Sequence, residues 1–409
     1  MEAKQETGGH DLAYLFGRFP SFDKTFCARE VLGLRRLDVR PLVFSIRDAR
    51  DEEIRHYPAS LYDETVYMPE RAMLRRRTGR FSGSGLPAGA RRLLREHKGR
   101  HDSARLFEAA FVGTRMARHA VSHVHAHFMG MAARTAWWIH RMFGYTFSVS
   151  AHANDLFCDT GFEVSHERVI EATSALIVES DYAKRWAERR YPQVRSKVFA
   201  VHNGLDVAEI AAHTGAAAER DEPPLIVCVG RMVEKKGYPV LLDACALLRE
   251  RGVAFRCVVI GDGPLREAIG TQLEAQRLGD RVELLGAQSQ QRILETLSRA
   301  RAFVLACVEE QDGGQDNLPT AIAEAMAAGL PCVSTAVAGI PEMIVEGRTG
   351  FVVQPGAPEP LAAALGRLLE SPSLARALGE AGRLRARQRF DQSATSRELW
   401  RVLEPHCRG

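Results

Sequence analysis

The stretch Leu225-Ile-Val-Cys-Val229-Gly-Arg-Met-Val-Glu-Lys-Lys-Gly237 is followed by an amphipathic run over Val240–Arg251 and by a second apolar run, Cys257–Ile260, within the segment Phe255–Ile260. An unbroken apolar run reads as a strand buried on both faces. A helical run between two such strands is the crossover that makes them parallel. Outward from this unit the same alternation covers the chain. Strands are expected near Leu12–Phe16, Pro41–Ile46, Val121–His127, Thr146–Ser150, Ala175–Glu179 and Val198–His202. A second series follows near Leu225–Val229, Phe255–Ile260, Val282–Leu285, Ala302–Ala306, Cys332–Ser334 and Phe351–Val353, with helices over Leu265–Arg277 and Arg292–Arg299. Between the series lies Ala211–Pro224, rich in alanine and charge and closed by Pro223-Pro224, which is linker composition. The expected fold class is α/β, with two doubly wound Rossmann-like domains: residues 1–205, a linker over 206–223, and residues 224–389. Such sheets bind ligands beyond the carboxyl ends of their strands, so function belongs in the strand-to-helix turns.

Composition narrows the class. Among 409 residues, 45% are hydrophobic and 26% charged, which argues against a disordered or fibrous chain. No apolar run approaches the ~18 residues of a spanning helix. Met1–Asp11 is polar, so no secretory signal is expected. The eight cysteines include no Cys-x-x-Cys pair and several sit in apolar runs, which predicts reduced, structural thiols and a cytoplasmic location.

Charge is uneven. Residues 1–200 hold 32 basic and 24 acidic residues, the remainder 23 and 27. The bias peaks between Arg71 and Arg105, where eleven Lys/Arg face only Glu96 and Asp102. Two readings stay open: a solvated helical face, or a patch for anionic lipid headgroups and so peripheral membrane association. A nucleic-acid partner is not expected, because no recognition motif accompanies the patch.

Four turns carry chemistry. In Val229–Gly237, Gly230 and Gly237 permit tight turns while Arg231 and Lys236 bring two cations to a strand end, which is what a diphosphate needs. An exposed basic turn is the alternative. Val259-Ile-Gly-Asp-Gly-Pro-Leu265 superficially resembles a dinucleotide fingerprint, but Arg266 occupies the third glycine position. Gly261 and Gly263 there mark a close backbone turn that could touch a nucleotide. In Gln311–Gly329, Pro319 opens a helix and Gly329 stops it, leaving the backbone N–H groups of Asp316, Asn317, Leu318 and Thr320, either side of Pro319, at a positive helix end. Asp316 precedes that helix and Glu324 lies inside an otherwise apolar one. Paired carboxylates suit sugar and ribose diols; a buried structural pair is the alternative. Finally, Ser148–Asp155 ends a strand with His152 and Asp155. A lone histidine there can be structural or functional.

These turns, in this order, resemble the retaining nucleotide-sugar glycosyltransferases of the GT-B fold, in the large family that builds bacterial exopolysaccharides. The matching residues are Gly230-Arg231 with Lys236-Gly237, Gly261-Asp262-Gly263-Pro264, and Asn317 through Glu324-Ala-Met-Ala and Gly329, followed by Pro331. His152 resembles the family's cleft histidine, and Asn203-Gly204-Leu-Asp206 its hinge-proximal segment. Phe19-Pro20, Thr25-Phe26 and Glu30 resemble the opening of the polysaccharide branch. The resemblance implies that Arg231 and Lys236 neutralise the leaving nucleoside diphosphate, Glu324 holds the ribose, Asp316 and nearby amides grip the donor sugar, and His152 sits near the anomeric centre. It implies a UDP- or GDP-sugar donor, a lipid-linked saccharide or glycolipid acceptor at the cytoplasmic membrane face, and a C-terminal helix (about 390–409) crossing back to the first domain. No resident cofactor or metal is expected, since no Asp-x-Asp occurs.

Two positions depart from the family. Its Glu-x7-Glu reads Asp316-x7-Glu324 here, one methylene shorter at the first acid, and its Ser-Glu before Thr-Phe reads Asp23-Lys24. Among weaker signals, His123-Val-His-Ala-His127 places three imidazoles on one strand face, which invites a metal; with no fourth ligand nearby, a strand leading into the site is favoured. Trp137-Trp138 reads as core, with lipid or acceptor contact as the alternative. Arg383, Arg385, Arg387 and Arg389 read as a solvated helix face. Two other functions compete: a nucleotide-sugar epimerase or hydrolase of the same fold, and a non-catalytic nucleotide-sugar binder that would not need His152.

Overall fold

The computed structural model describes residues 10–407 except 22–23, 53–56, 71, 75–85, 98–101, 153, 158–160 and 215–221. The chain divides into two compact units: residues 1–179, 184–201 and 396–409, and residues 180–183 with 202–395.

In the first unit the described strands are β1 Leu12–Arg18, β2 Pro41–Arg47, β3 Val66–Tyr67, β4 His123–His127, β5 Thr146–Ala151, β6 Ala175–Val178 and β7 Val198–Ala200. They pair in parallel in the order β3-β2-β1-β4-β5-β6-β7. The chain starts at β1, winds outward to β3, then returns to β4 on the other side of β1, so the order reverses between β1 and β4. Leu12, Tyr14 and Val43 of the sheet pack with Val31 and Leu34 of helix Thr25–Arg35 and with Leu399 and Leu403 of helix Gln392–Cys407.

The second unit repeats the plan with β8 Leu225–Val229, β9 Arg256–Ile260, β10 Val282–Gly286, β11 Ala302–Leu305, β12 Cys332–Thr335 and β13 Gly350–Val353. The order is β10-β9-β8-β11-β12-β13, again parallel, with its reversal between β8 and β11. Ile226, Val227, Phe303, Val304 and Val333 are fully buried between helical layers, which is why these strands read as continuous apolar runs rather than alternating ones.

The twelve anticipated strands all occur; β3 is the addition. At two residues on the sheet edge it carries no periodicity to read. The linker expected over 206–223 falls partly outside the described residues, and Val207–Thr214 within it is a helix. Asp206 caps that helix by accepting from the Glu209 amide. The Leu205 amide donates to Phe390 O and its carbonyl accepts from the Gln392 amide, so Asn203–Asp206 is tied to the chain entering the last helix. Arg385 corrects the expected solvated face: its guanidinium donates to the carbonyls of Glu342 and Met343, closing the end of a short helix. Trp138 is buried and Trp137 partly so, in keeping with core packing.

Candidate active site

In doubly wound sheets the ligand crevice forms where the strand order reverses. In the second unit that point lies between the carboxyl ends of β8 and β11, and both anticipated turns begin there. The turn after β8 carries Arg231, Lys235 and Lys236. Arg231 is exposed and makes no ion pair among the described residues. Lys236 points inward: its Nζ lies 2.5 Å from Asp316 Oδ2, while Lys235 Nζ lies 3.3 Å from Asp316 Oδ1. The Lys235 amide also donates to Glu310, and the Val308 amide to Lys235 O, stitching this turn to the loop after β11.

Asp316 is buried, which pushes its carboxyl up; Lys236 and Lys235 more than offset that and hold it below its ordinary range. Burial likewise pushes Lys236 down, and Asp316 reverses the sign, so this ammonium is held above its usual value. Asp316 is thus a fixed anion balanced by two cations. Lys236, expected at a diphosphate, and Asp316, expected at a sugar, are paired with each other. Lys235 was missed because two adjacent lysines in a sequence do not disclose which one turns inward.

Asn317 and Leu318 are buried before helix Thr320–Ala327, and Asn317 Oδ1 accepts from Ser180. A Cβ on Gly339 would lie 2.5 Å from that oxygen, so glycine is required there. Pro319 is the residue before the helix rather than its first member, and no side chain caps this end. The amides of Thr320 and Ala321 open the helix at its positive end. Glu324 follows one turn later and is 6% exposed.

Gly261 and Gly263 act through geometry. Both have positive φ, 141° and 157°. A Cβ on Gly261 would lie 1.9 Å from Gly230 O, and one on Gly263 2.6 Å from Met232 O. The Met232 amide donates to Asp262 O and the Leu265 amide to Met232 O. The two loops therefore lie backbone on backbone, and the glycines set the position of the Arg231 turn.

In the first unit the order reverses between β1 and β4, and here the sequence reading was thin. β4 and β5 align His123 with Thr146, His125 with Ser148 and His127 with Ser150. Three buried imidazoles in a strand are tolerable because each finds a hydrogen-bond partner. His123 contacts Thr146 and Ser148 at 2.8 Å, and His125 contacts Ser148 at 2.7 Å and Ser150 at 3.0 Å. The matching period of two in His123-x-His-x-His127 and Thr146-x-Ser-x-Ser150 was the available signal. Burial drives His123 down to about 3 and His125 well below its ordinary range, so both are neutral.

His127 Nε2 lies 2.9 Å from Glu30 Oε1, His127 Nδ1 lies 3.3 Å from His152 Nε2, and His152 Nδ1 lies 3.1 Å from Glu179 Oε2. Tyr14 donates to Glu30 at 2.7 Å. Helix Thr25–Arg35 delivers two of the neighbours: Phe26 and Glu30, one turn apart, place a ring 4.8 Å from the His152 ring and a carboxylate on His127. His152 is 8% exposed. Glu30, His125 and His127 bring ligand atoms within 4.8 Å of one another, yet each is already hydrogen-bonded to protein. Asp155 accepts from the Met129 amide, and burial raises its carboxyl to about 6.

The basic segment divides. Arg71, Arg75–Arg77, Arg80, Lys98 and Arg100 lie outside the described residues. Arg92 and Arg95 are exposed on helix Ala88–Glu96. Arg105 is 5% exposed and paired with Glu108 at 2.8 Å, so it is a core ion pair and not part of a surface patch. Asp23 also lies outside the described residues.

Against known proteins, residues 211–385 match the model of the family Glycosyl transferases group 1. The putative colanic acid biosynthesis glycosyltransferase WcaL of Escherichia coli (strain K12) is 34% identical over 212 residues, 51% of this chain and 52% of that protein. The amylovoran biosynthesis glycosyltransferase AmsK of Erwinia amylovora is 35% identical over 183 residues, 45% of each chain. The chain spans about half the length of the curated relatives it matches. The crystal structure of Anabaena HepE in complex with UDP and glucose superimposes with a TM-score of 0.69 at 16% identity, covering 96% of this chain and 99% of that one. The fold is of the GT-B type, two parallel-sheet Rossmann-like domains. No described helix is long and apolar enough to cross a membrane.

Proposed function

We propose that the chain is a retaining glycosyltransferase that moves a sugar from a UDP- or GDP-sugar to a lipid-linked glycan or glycolipid at the cytoplasmic membrane face. The observation that carries this is the meeting, at one reversal point, of Arg231, Lys235 and Lys236 with Asp316 and an uncapped helix end. A diphosphate at such a site gains charge-assisted bonds from an unengaged guanidinium and from helix amides. As the glycosidic bond breaks, negative charge grows on the departing phosphate, and cations already in place stabilise it without reorganising. Glu324, buried one turn into the helix, is assigned to the ribose hydroxyls. Asp316, fixed by its lysines, is assigned to the donor sugar. His152 is assigned to the side of the anomeric centre. Retention fits front-face attack, with the departing phosphate taking the acceptor's proton. The nucleotide sugar is a substrate, and the cationic side chains are assigned the work that a chelated metal does elsewhere. The similarity to exopolysaccharide glycosyltransferases supports a glycan acceptor, and the exposed Arg92 and Arg95 support peripheral contact with anionic lipid.

Titration calorimetry of the full chain against UDP, GDP, ADP and their sugar conjugates tests the donor. Selective binding of one uridine or guanosine compound is the expected result; binding of none overturns the reading. Incubation with that donor and a lipid-linked acceptor extract, followed by product analysis, is expected to yield an α-linked product from an α-linked donor.

A further inference from the structure

We infer that the array Glu30–His127–His152–Glu179 holds one proton more than two carboxylates and two neutral imidazoles carry, so that the imidazole pair is a shared cation. The argument is a count. The array has three internal contacts, at 2.9, 3.3 and 3.1 Å, and each links two atoms that are acceptors unless a proton lies between them. Three contacts need three protons. Two neutral imidazoles supply two, and two ionised carboxylates supply none. With only two, one contact would press two lone pairs together among side chains that are buried or, at Glu30, 17% exposed, where an unsatisfied polar pair is costly.

At a carboxylate–imidazole contact the proton rests on the more basic ring nitrogen, which puts the third proton on the imidazoles rather than on Glu30 or Glu179. Tyr14 already donates its hydroxyl to Glu30 Oε1, and the carboxyl is held down to about 2, where burial, which raises it, is outweighed by His127. The other groups facing the array leave the count unchanged. His125, from the same strand as His127, is neutral and bonded to Ser148 and Ser150. Cys27 Sγ lies 3.8 Å from His127 Nδ1, from the helix that carries Glu30. Asp155, on the following turn, is occupied by the Met129 amide. Phe26 and Phe128 cover the His152 ring at 4.8 and 5.0 Å, and the His127 and His152 ring planes are within 13° of parallel, their centroids 5.5 Å apart.

Glu30, His127 and Glu179 are then positioning residues that act through His152. They fix its ring and give it a proton that can pass between His127 Nδ1 and His152 Nε2. On the reading proposed above, and resting on it, the charge belongs to the residue assigned to the anomeric centre.

The test is the protonation state of the ring nitrogens in the full chain labelled with 15N-histidine, assigned with His127→Asn and His152→Asn. In the wild type, three of the pair's four nitrogens are expected to be protonated at pH 7. In Glu30→Gln the amide can donate to His127 Nε2, so two protonated nitrogens are expected. Two in the wild type overturns the inference whether or not the variant folds. The spectra need no substrate, so failure of the proposed reaction is read separately. Where transfer is measurable, Glu30→Gln is expected to lower kcat roughly tenfold or more with KM little changed.

Discussion

Lys236 Nζ sits 2.5 Å from Asp316 Oδ2, and the two side chains are only 14% and 11% exposed. A buried pair is weak evidence for stability as a pair, but breaking it leaves the survivor as an uncompensated charge. Lys236→Met is therefore expected to destabilise the chain by about 3 kcal/mol, the low end for removing one partner, because Lys235 still reaches Asp316. Denaturant midpoints check this. The double variant Lys236→Met/Asp316→Asn removes both charges and is expected to recover a large part of the loss. A double variant as unstable as the sum of the singles would show that the two residues do not act as a unit.

Arg231 separates binding from folding. It is exposed and makes no ion pair among the described residues, so Arg231→Ala is expected to change stability by no more than about 0.5 kcal/mol. A lost charge-assisted contact to the diphosphate costs roughly 1.5–3 kcal/mol, or about 10- to 150-fold in nucleotide affinity. Calorimetry on a variant with an unchanged melting curve reads the binding term alone. Equal affinity for the two proteins would remove Arg231 from the diphosphate site.

The parallel sheets were legible because strands buried on both faces are unbroken apolar runs, as Leu225–Val229 and Cys257–Ile260 are. The turns were legible because Gly230, Gly261 and Pro319 punctuate the ends of strands and helices. Partners across the fold were not. Nothing local tells that Lys235 and Lys236 both converge on Asp316, that Arg105 is buried against Glu108, or that Arg385 closes a helix end. Glu30 could be placed only by resemblance, since its partner His127 lies 97 positions away and meets it through the β1–β4 pairing. Polar side chains were the hard part, because their reasons are long-range.

Gly261 offers a test of position without touching a charge. Its Cβ would fall 1.9 Å from Gly230 O, a backbone atom that cannot rotate away. Gly261→Ala is expected to cost about 1–3 kcal/mol from strain and overpacking and to weaken nucleotide binding by shifting the Arg231 turn. Asp262→Ala, at the exposed residue between the two glycines, is the control and is expected to lie within about 0.5 kcal/mol of wild type. If Gly261→Ala melts and binds like wild type, the close contact does not position the site.

Acid stability reads the polar strand of the first unit. His123 is held down to about 3 and His125 well below its ordinary range, first by burial. In the unfolded chain both take up a proton as the pH falls below about 6.5. The folded chain does not, so the unfolded state binds more protons and stability falls with falling pH. Each such histidine contributes a slope approaching about 1.4 kcal/mol per pH unit between the two values. Glu30, held down to about 2 from 4.5, adds a second loss at lower pH: its contribution is complete above 4.5 and disappears as the pH falls through 2. Equilibrium unfolding between pH 7 and pH 4 is expected to show the histidine slope in the wild type. His123→Asn is expected to be less stable at pH 7 and to have a shallower slope. A wild-type stability that stays level from pH 7 to pH 5 would mean that these imidazoles take up protons in the folded chain.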